Sequence, residues 1–274
     1  MSDQIPQLEP ANQTQKNKQP VVRVRGLHKH IGDTHLIRGV DLDVRPGEVI
    51  VIIGPSGVGK STFLRCLNFL EKSSAGTIEV AGIQVDARES KDKREKDIRE
   101  IRHQAAMVFQ EFNLFPHMTV MDNITGAATI VKKVPKEQAV AKAEMLLDEI
   151  GLLARRNDYP DQLSVGEKQQ VAIARSLCLE PRVMLFDDPT SALDPVLVHD
   201  LVETIKQLAK EGIANVVVTN EPYLARNIAD SVIFMDDGVW AESAPPDEIF
   251  DNPKQERTRQ FLDHISLKDI SGGT

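Results

Sequence analysis

The apolar run Val49-Ile50-Val51-Ile52-Ile53 passes directly into Gly54-Pro55-Ser56-Gly57-Val58-Gly59-Lys60-Ser61, and Thr62 to Phe69 then reads as a helix. Five consecutive apolar, β-branched residues fit a strand buried on both faces. A G-x-x-x-x-G-K-S turn between such a strand and a helix has few uses. Gly54, Gly57 and Gly59 let the backbone turn tightly, so successive amides can face a phosphate chain. The helix starting near Lys60 adds its positive end. Lys60 can reach the β- and γ-phosphates, and the Ser61 hydroxyl can ligate Mg²⁺. Pro55, Ser56, Val58 and Thr62 complete the cradle. The bland alternative, a glycine-rich turn that holds nothing, leaves the Lys-Ser pair unexplained. The chain is expected to bind a nucleotide.

The 274 residues suffice for one large α/β domain, or a core with a subdomain. Apolar residues make up 41% and aromatics only 4%. A net charge of −8 weighs against nucleic acid as a partner, because phosphate backbones select basic surfaces. Cys66 and Cys178 lie far apart in helical patterns and read as reduced core thiols, with no metal motif. No apolar stretch approaches the ~20 residues needed to span a bilayer. The first residues lack a signal-peptide apolar core. A cytosolic chain that docks on another component is expected.

Residues 1 to 20 are rich in Gln, Asn and Pro and read as a disordered tail. Strand patterns follow at Val21 to Leu27, Gly39 to Val44 and Val49 to Ile53. Gly76 to Val80 and Ile83 to Val85 flank Ala81-Gly82 as a hairpin. Arg88 to Arg102 is charge-dense and reads as an exposed helix with i,i+4 pairs. Met107 to Gln110 reads as a short strand. Val120 to Thr129, Lys136 to Ile150 and Val165 to Leu179 look helical, the second with Ala139, Ala143, Leu146, Leu147 and Ile150 at helical spacing. Arg182 to Phe186, Asn215 to Thr219 and Ser231 to Met235 are further buried strands, with a helix at Pro195 to Lys210. Buried strands alternating with helices imply a largely parallel sheet covered on both faces. The expected fold is α/β: a P-loop NTPase core with a mostly parallel sheet, an antiparallel β subdomain and an inserted helical subdomain. The expected boundaries are core 21–87 and 180–240, helical subdomain about 88–179, C-terminal helical segment 245–265 and flexible tail 266–274.

Several further features fit around the loop. Val183-Met184-Leu185-Phe186-Asp187 is an apolar strand ending in a carboxylate, the form of a Walker B Asp that serves Mg²⁺. Leu163-Ser164-Val165-Gly166-Glu167 opens a helix, where Ser164 and backbone amides form a second anion site. Gln110 ends a strand, and Ser191-Ala192-Leu193-Asp194 follows Asp187 closely. Singly these read as a strand-end Asp, N-caps and a surface Gln; as an ordered set they are specific.

With these segments the chain resembles the ATP-binding subunits of ABC transporters, in particular the polar amino acid uptake group. The matching stretches are Gly54 to Thr62, Met107 to Thr119, Leu163 to Leu177, Val183 to Pro195, Val232 to Gly238 and Ile249 to Phe261, within residues 21 to 265. The resemblance implies a peripheral protein on the cytoplasmic face of the inner membrane. It implies a head-to-tail dimer, read here as a homodimer with a heterodimer left open, with Mg-ATP held between the P-loop of one subunit and Ser164 and Gly166 of the other. Transmembrane permease subunits would dock near Gln110, and a solute-binding protein would act indirectly. By the same resemblance Gln110 and Asp187 serve Mg²⁺ with Ser61, Asp188 orients water, Asn220 contacts the γ-phosphate, and Ile31 lies against adenine.

Four positions depart from that family's pattern. Asp188 stands where Glu is usual; one methylene shorter, it falls short by about an ångström, enough to cost about a hundredfold in rate. Asn220 replaces a His and cannot carry positive charge. Val165 and Glu167 replace Gly and Gln, the first costly if φ must be positive, the second bringing a carboxylate toward an anion. Ile31 replaces an aromatic and offers no π stacking. Two functions remain open on sequence alone: an energising subunit with weakened ATP hydrolysis, and a non-hydrolytic ATP-binding partner.

Overall fold

The computed structural model describes residues 19–271, with the side chains of 91–93 and 266–271 left aside; the expected disordered tail lies outside the described residues save for 19 and 20. In chain order the strands and helices are β1 Val22–Ile31, β2 Thr34–Val44, β3 Val49–Ile53, α1 Lys60–Leu67, β4 Ala75–Val80, β5 Ile83–Asp86, α2 Lys91–Gln104, β6 Ala105–Val108, α3 Val120–Ile130 and α4 Lys136–Glu149. There follow α5 Val165–Leu177, β7 Val183–Asp187, α6 Pro195–Lys210, β8 Ala214–Val218, α7 Pro222–Ile228, β9 Ser231–Asp236, β10 Val239–Ala244, α8 Pro246–Asp251 and α9 Glu256–Ser271.

Two sheets organise the molecule. One has four antiparallel strands in the order β2-β1-β4-β5; the other has six in the order β10-β9-β3-β8-β7-β6. All neighbours in the larger sheet are parallel except the β9–β10 hairpin. The fold class expected from sequence, an α/β P-loop core with an antiparallel sheet and a helical unit, is the one observed.

β3 shows why the uniform apolar run carries information. Ile50 and Ile52 enter a core cluster with Phe63 and Leu64 of α1 and with Val24 and Val40 of the antiparallel sheet. Val49, Val51 and Ile53 point the other way, into a cluster with Leu201 and Ile205 of α6 and Leu224 of α7. Both faces are covered, so the alternation of side chains leaves no polar position. Phe63 meets Trp240 edge-on with centroids 4.9 Å apart, and Trp240 Nε1 donates to the Asp41 carbonyl at 2.7 Å, tying the two sheets together.

A third cluster, from Val120 and Ile124 through Ala143 and Leu147 to Val171 and Ala174, packs α3, α4 and α5 on one another. The segment 88–179 is therefore not uniform. Ile98 and Ile101 of α2 join the first cluster beside Val85, and β6 is the edge strand of the large sheet. β6 also ends earlier than Met107 to Gln110 suggested: it stops at Val108, and Gln110 lies exposed in the turn beyond. The expected tail at 266–274 is helical as far as Ser271, since no Pro or Gly interrupts the sequence before Gly272; residues 272–274 lie outside the described residues.

Candidate nucleotide site

The C-terminal ends of β3, β7 and β8 meet at one edge of the sheet, where ligands of open parallel sheets bind. Gly54 leaves β3 with φ 148°, and a Cβ there would sit 2.2 Å from the Met235 carbonyl oxygen of neighbouring β9. Only glycine fits that approach. Gly57 and Gly59 are left-handed at φ 82° and 111°. Gly59 is the N-cap of α1 and no side chain caps its amides, so the first-turn N–H groups stay available to an anion. Pro55, Ser56 and Val58 form the rim, and Ser61 and Thr62 lie half-buried in the first turn.

Lys60 is buried at 9% exposure and folds back to donate to the carbonyls of Gly54 at 2.6 Å and Pro55 at 2.8 Å. Burial lowers its pKa, opposed by the charges of Asp188 and Asp187. Asp187 is buried at the end of β7 and accepts from Arg65 Nη2 of α1 at 2.9 Å. Asp188 is half-buried, and burial first, then Asp187, raises its pKa against the pull of Lys60. Its backbone is left-handed at φ 47°, its amide donates to the Val218 carbonyl at 2.8 Å, and its carbonyl accepts from Ser191 Oγ at 3.1 Å. Both main-chain groups of Asp188 are tied, which fixes this strand end.

Asn220 follows Thr219 at the end of β8, and its Oδ1 accepts the Gly54 amide at 3.2 Å. The two residues meet across 166 positions of sequence. Thr219 Oγ1 lies 3.3 Å from Thr190 Oγ1, linking the β7 and β8 connections, and accepts the Glu221 amide at 3.0 Å.

Four expected site residues share no hydrogen bond or ion pair with this group among the described residues. Ile31 ends β1 with 54% of its surface exposed. Gln110 is exposed beyond β6. Ser164 is the N-cap of α5, while Gly166 is buried, its missing Cβ only 2.6 Å from Leu197 Cδ2 of α6. Among the described residues no hydrogen bond or ion pair joins Ser164 to the P-loop.

The signature segment bears on two expectations. Val165 is the first residue of α5 and is absent from the positive-φ residues, so its branched Cβ meets no left-handed strain. Glu167 is engaged at its own helix end. Its Oε2 accepts the Ser164 amide at 2.7 Å, while its own amide donates to Ser164 Oγ at 3.3 Å, a reciprocal capping box. Arg155 Nη1 pairs with Oε1 at 3.2 Å, and the Ser164 amide, ahead of Arg155, holds the carboxyl below its usual pKa. Sequence reading missed Arg65, Arg155 and Thr190, because a lone cation or hydroxyl on a helix or turn carries no periodic signal and gains meaning from its tertiary partner.

A cradle of unpaired first-turn amides, a buried lysine and two carboxylates at a strand end defines a P-loop nucleotide-binding protein. The family model described as ABC transporter matches residues 37–191, from the β1–β2 hairpin through the Asp187 strand, and the chain belongs to that family. It is 48% identical to the L-cystine transport system ATP-binding protein of Escherichia coli (strain K12), over 90% of this chain and 99% of the relative. It is likewise 48% identical to the glutamine transport ATP-binding protein of Geobacillus stearothermophilus, over 87% and 96%. Among solved structures, a dimeric ATP-binding cassette in a post-hydrolysis state with ADP and Pi matches with TM-score 0.70 at 27% identity, over 82% of this chain and 98% of that one.

Proposed function

We propose that this chain is the ATP-binding subunit of an importer for a polar amino acid, working as a dimer beneath transmembrane permease subunits on the cytoplasmic face of the membrane. The observation that carries it is the convergence of Lys60, Asp187, Asp188 and Asn220 on the Gly54 loop, in a chain whose relatives are named as cystine and glutamine transport ATP-binding proteins. Those names favour the energising role over the non-hydrolytic one. None of the described helices is long and apolar enough to cross a membrane, so the chain would act through separate membrane subunits, with a solute-binding protein delivering cargo. Amino acid selectivity would reside in those partners.

The donor set fits Mg²⁺: the Ser61 hydroxyl, the Asp187 carboxylate and the Gln110 amide oxygen are hard oxygen ligands. Bound Mg²⁺ would neutralise charge on the β- and γ-phosphoryl oxygens. The loop amides and Lys60 would hold the phosphates. Until then Arg65 holds the Asp187 carboxylate in place through its 2.9 Å hydrogen bond. Asp188 would orient the attacking water, and Asn220 would donate its amide to the γ-phosphoryl group. Ser164 and Gly166, which share no hydrogen bond with the P-loop of their own chain among the described residues, would face the nucleotide of the partner subunit, with Ile31 against its own adenine.

Turnover would be slow, and the deficit would lie in Asp188 and Asn220. Asp188 is one methylene short on a pinned backbone, and Asn220 supplies a hydrogen bond without charge where transition-state charge must be stabilised. Val165 and Glu167 contribute less, for the reasons above. Phosphate release measured beside ATP binding tests the reading. Tight MgATP binding with slow, permease-stimulated release supports it; binding without any release in the assembled transporter overturns it.

A further inference from the structure

The loop after β6 is held by a residue that the functional reading leaves unused. Phe112 and Asn113 are consecutive non-glycine residues in left-handed backbone, at φ 59° and 49°. Their carbonyls accept from one guanidinium: Arg175 Nη2 donates to Phe112 at 2.8 Å and Nη1 to Asn113 at 2.6 Å. Arg175 lies on α5, whose N-cap is Ser164.

Burial alone perturbs this guanidinium, lowering its pKa, and no carboxylate pairs with it among the described residues. A cation withdrawn from water onto two carbonyls is a costly way to fill space. Methionine would fill the same volume without a charge to desolvate. What arginine adds is a planar fork that grips two adjacent carbonyls at once. The left-handed pair turns those carbonyls toward α5, a conformation the residues would not keep unaided. A second anchor follows: the buried Asn123 of α3 accepts the Phe115 amide at 2.8 Å and donates to the Phe115, Met118 and Thr119 carbonyls at 3.0 to 3.1 Å.

We infer that Arg175 is a positioning residue that locks the turn carrying Gln110 to helix α5, so that Gln110 and the Ser164 end of α5 move as one body. This rests on the reading of Gln110 as a nucleotide-side group. It predicts that Arg175 acts on turnover and leaves nucleotide capture alone, because among the described residues its hydrogen bonds go to Phe112 and Asn113 and none to the P-loop.

The test uses the full chain, alone and assembled with its permease. In Arg175→Met, amides of 110–114 should exchange with deuterium at least about tenfold faster, while P-loop exchange and MgATP affinity stay at wild-type levels. At saturating MgATP the transporter's turnover should fall at least about fivefold with KM unchanged. Arg175→Lys, which can reach one carbonyl, should lie between, and Asn113→Gly combined with Arg175→Met should be non-additive. Uniformly faster exchange through α5 and β6 with turnover per folded molecule unchanged would overturn the inference, as would unchanged exchange at 110–114. If Arg175→Met does not fold, Arg175→Lys with wild-type exchange and turnover overturns it alone. MgATP that fails to protect the P-loop of the wild type would instead sink the functional reading, a separate outcome.

Discussion

The P-loop and the start of α5 are both helix N-termini offered to an anion, yet they are built in opposite ways. At α1 the N-cap is Gly59, no side chain satisfies the first amides, and the loop is fixed by steric necessity, with Met235 against Gly54. At α5 the end is closed on itself: Ser164 and Glu167 cap each other, Arg155 neutralises the carboxylate, and Val165 is exposed in ordinary helical backbone. An open end needs its ligand and tolerates no side chain where backbones touch. A capped end is stable alone and absorbs substitution. On the proposed reading, departures from the family pattern at Val165 and Glu167 would be mild, whereas the same number at Asp188 and Asn220 would strike groups pinned beside the open loop.

The sharpest way to break that contrast is a matched pair of glycine substitutions. Gly54→Ala drives a Cβ into backbone at φ 148° and should cost about 4 kcal/mol or more. Gly166→Ala meets only the movable end of Leu197 in a helix and should cost about 1 kcal/mol. Urea denaturation measures both, and equal costs would erase the distinction.

Lys60→Ala should weaken ATP binding at least about a hundredfold by calorimetry, since it removes the buried cation of the cradle. An unchanged affinity would place the nucleotide elsewhere.

Asp188→Glu with Asn220→His should raise phosphate release by about a hundredfold in the assembled transporter, far beyond either change alone. Adding Val165→Gly and Glu167→Gln should change it less than about threefold. If the signature pair rescues more than the strand-end pair, the comparison is inverted.

Glu167→Ala opens the α5 cap and should lower stability by about 1 kcal/mol. Glu167→Gln keeps the acceptor and should stay within about 0.5 kcal/mol by chemical denaturation.

The smallest effect concerns charge. Burial raises the Asp188 pKa, so the folded chain holds a proton that the unfolded chain releases, and stability is lost as pH rises from the ordinary carboxylate range through the raised value. Asp188→Asn removes that cost and should raise Tm by about 1–3 °C at neutral pH, the gain fading below the ordinary carboxylate range; the group is only half-buried, which keeps the effect small. A lowered Tm at neutral pH would mean that the charged carboxylate stabilises the fold.

Local chemistry made much of this chain legible from its residues. The β3 run announced a two-sided strand, the glycine spacing announced the phosphate loop, and Pro195 to Lys210 was readable to the residue because Asp194 caps it and Pro195 sits at its first position. β10 and α7 went unread, since Val239–Ala244 is a short edge strand and Pro222–Ile228 a single short helix set by its contacts. Strand ends were also misjudged at Gln110, because apolar pattern does not say where pairing stops.

What the sequence determined by itself is therefore the set of short-range devices: strand, loop, helix and the residue types that can hold phosphate. Only the tertiary structure decided what each side chain meets. It placed Asn220 on the Gly54 amide, set Arg65 on Asp187, turned Glu167 back onto its own cap and gave Arg175 two carbonyls to hold. The physical reason is range: propensity and spacing act over a few residues, while the charges and hydrogen bonds that tune this site join positions more than a hundred residues apart in the first two cases, brought together by the packing of a shared core.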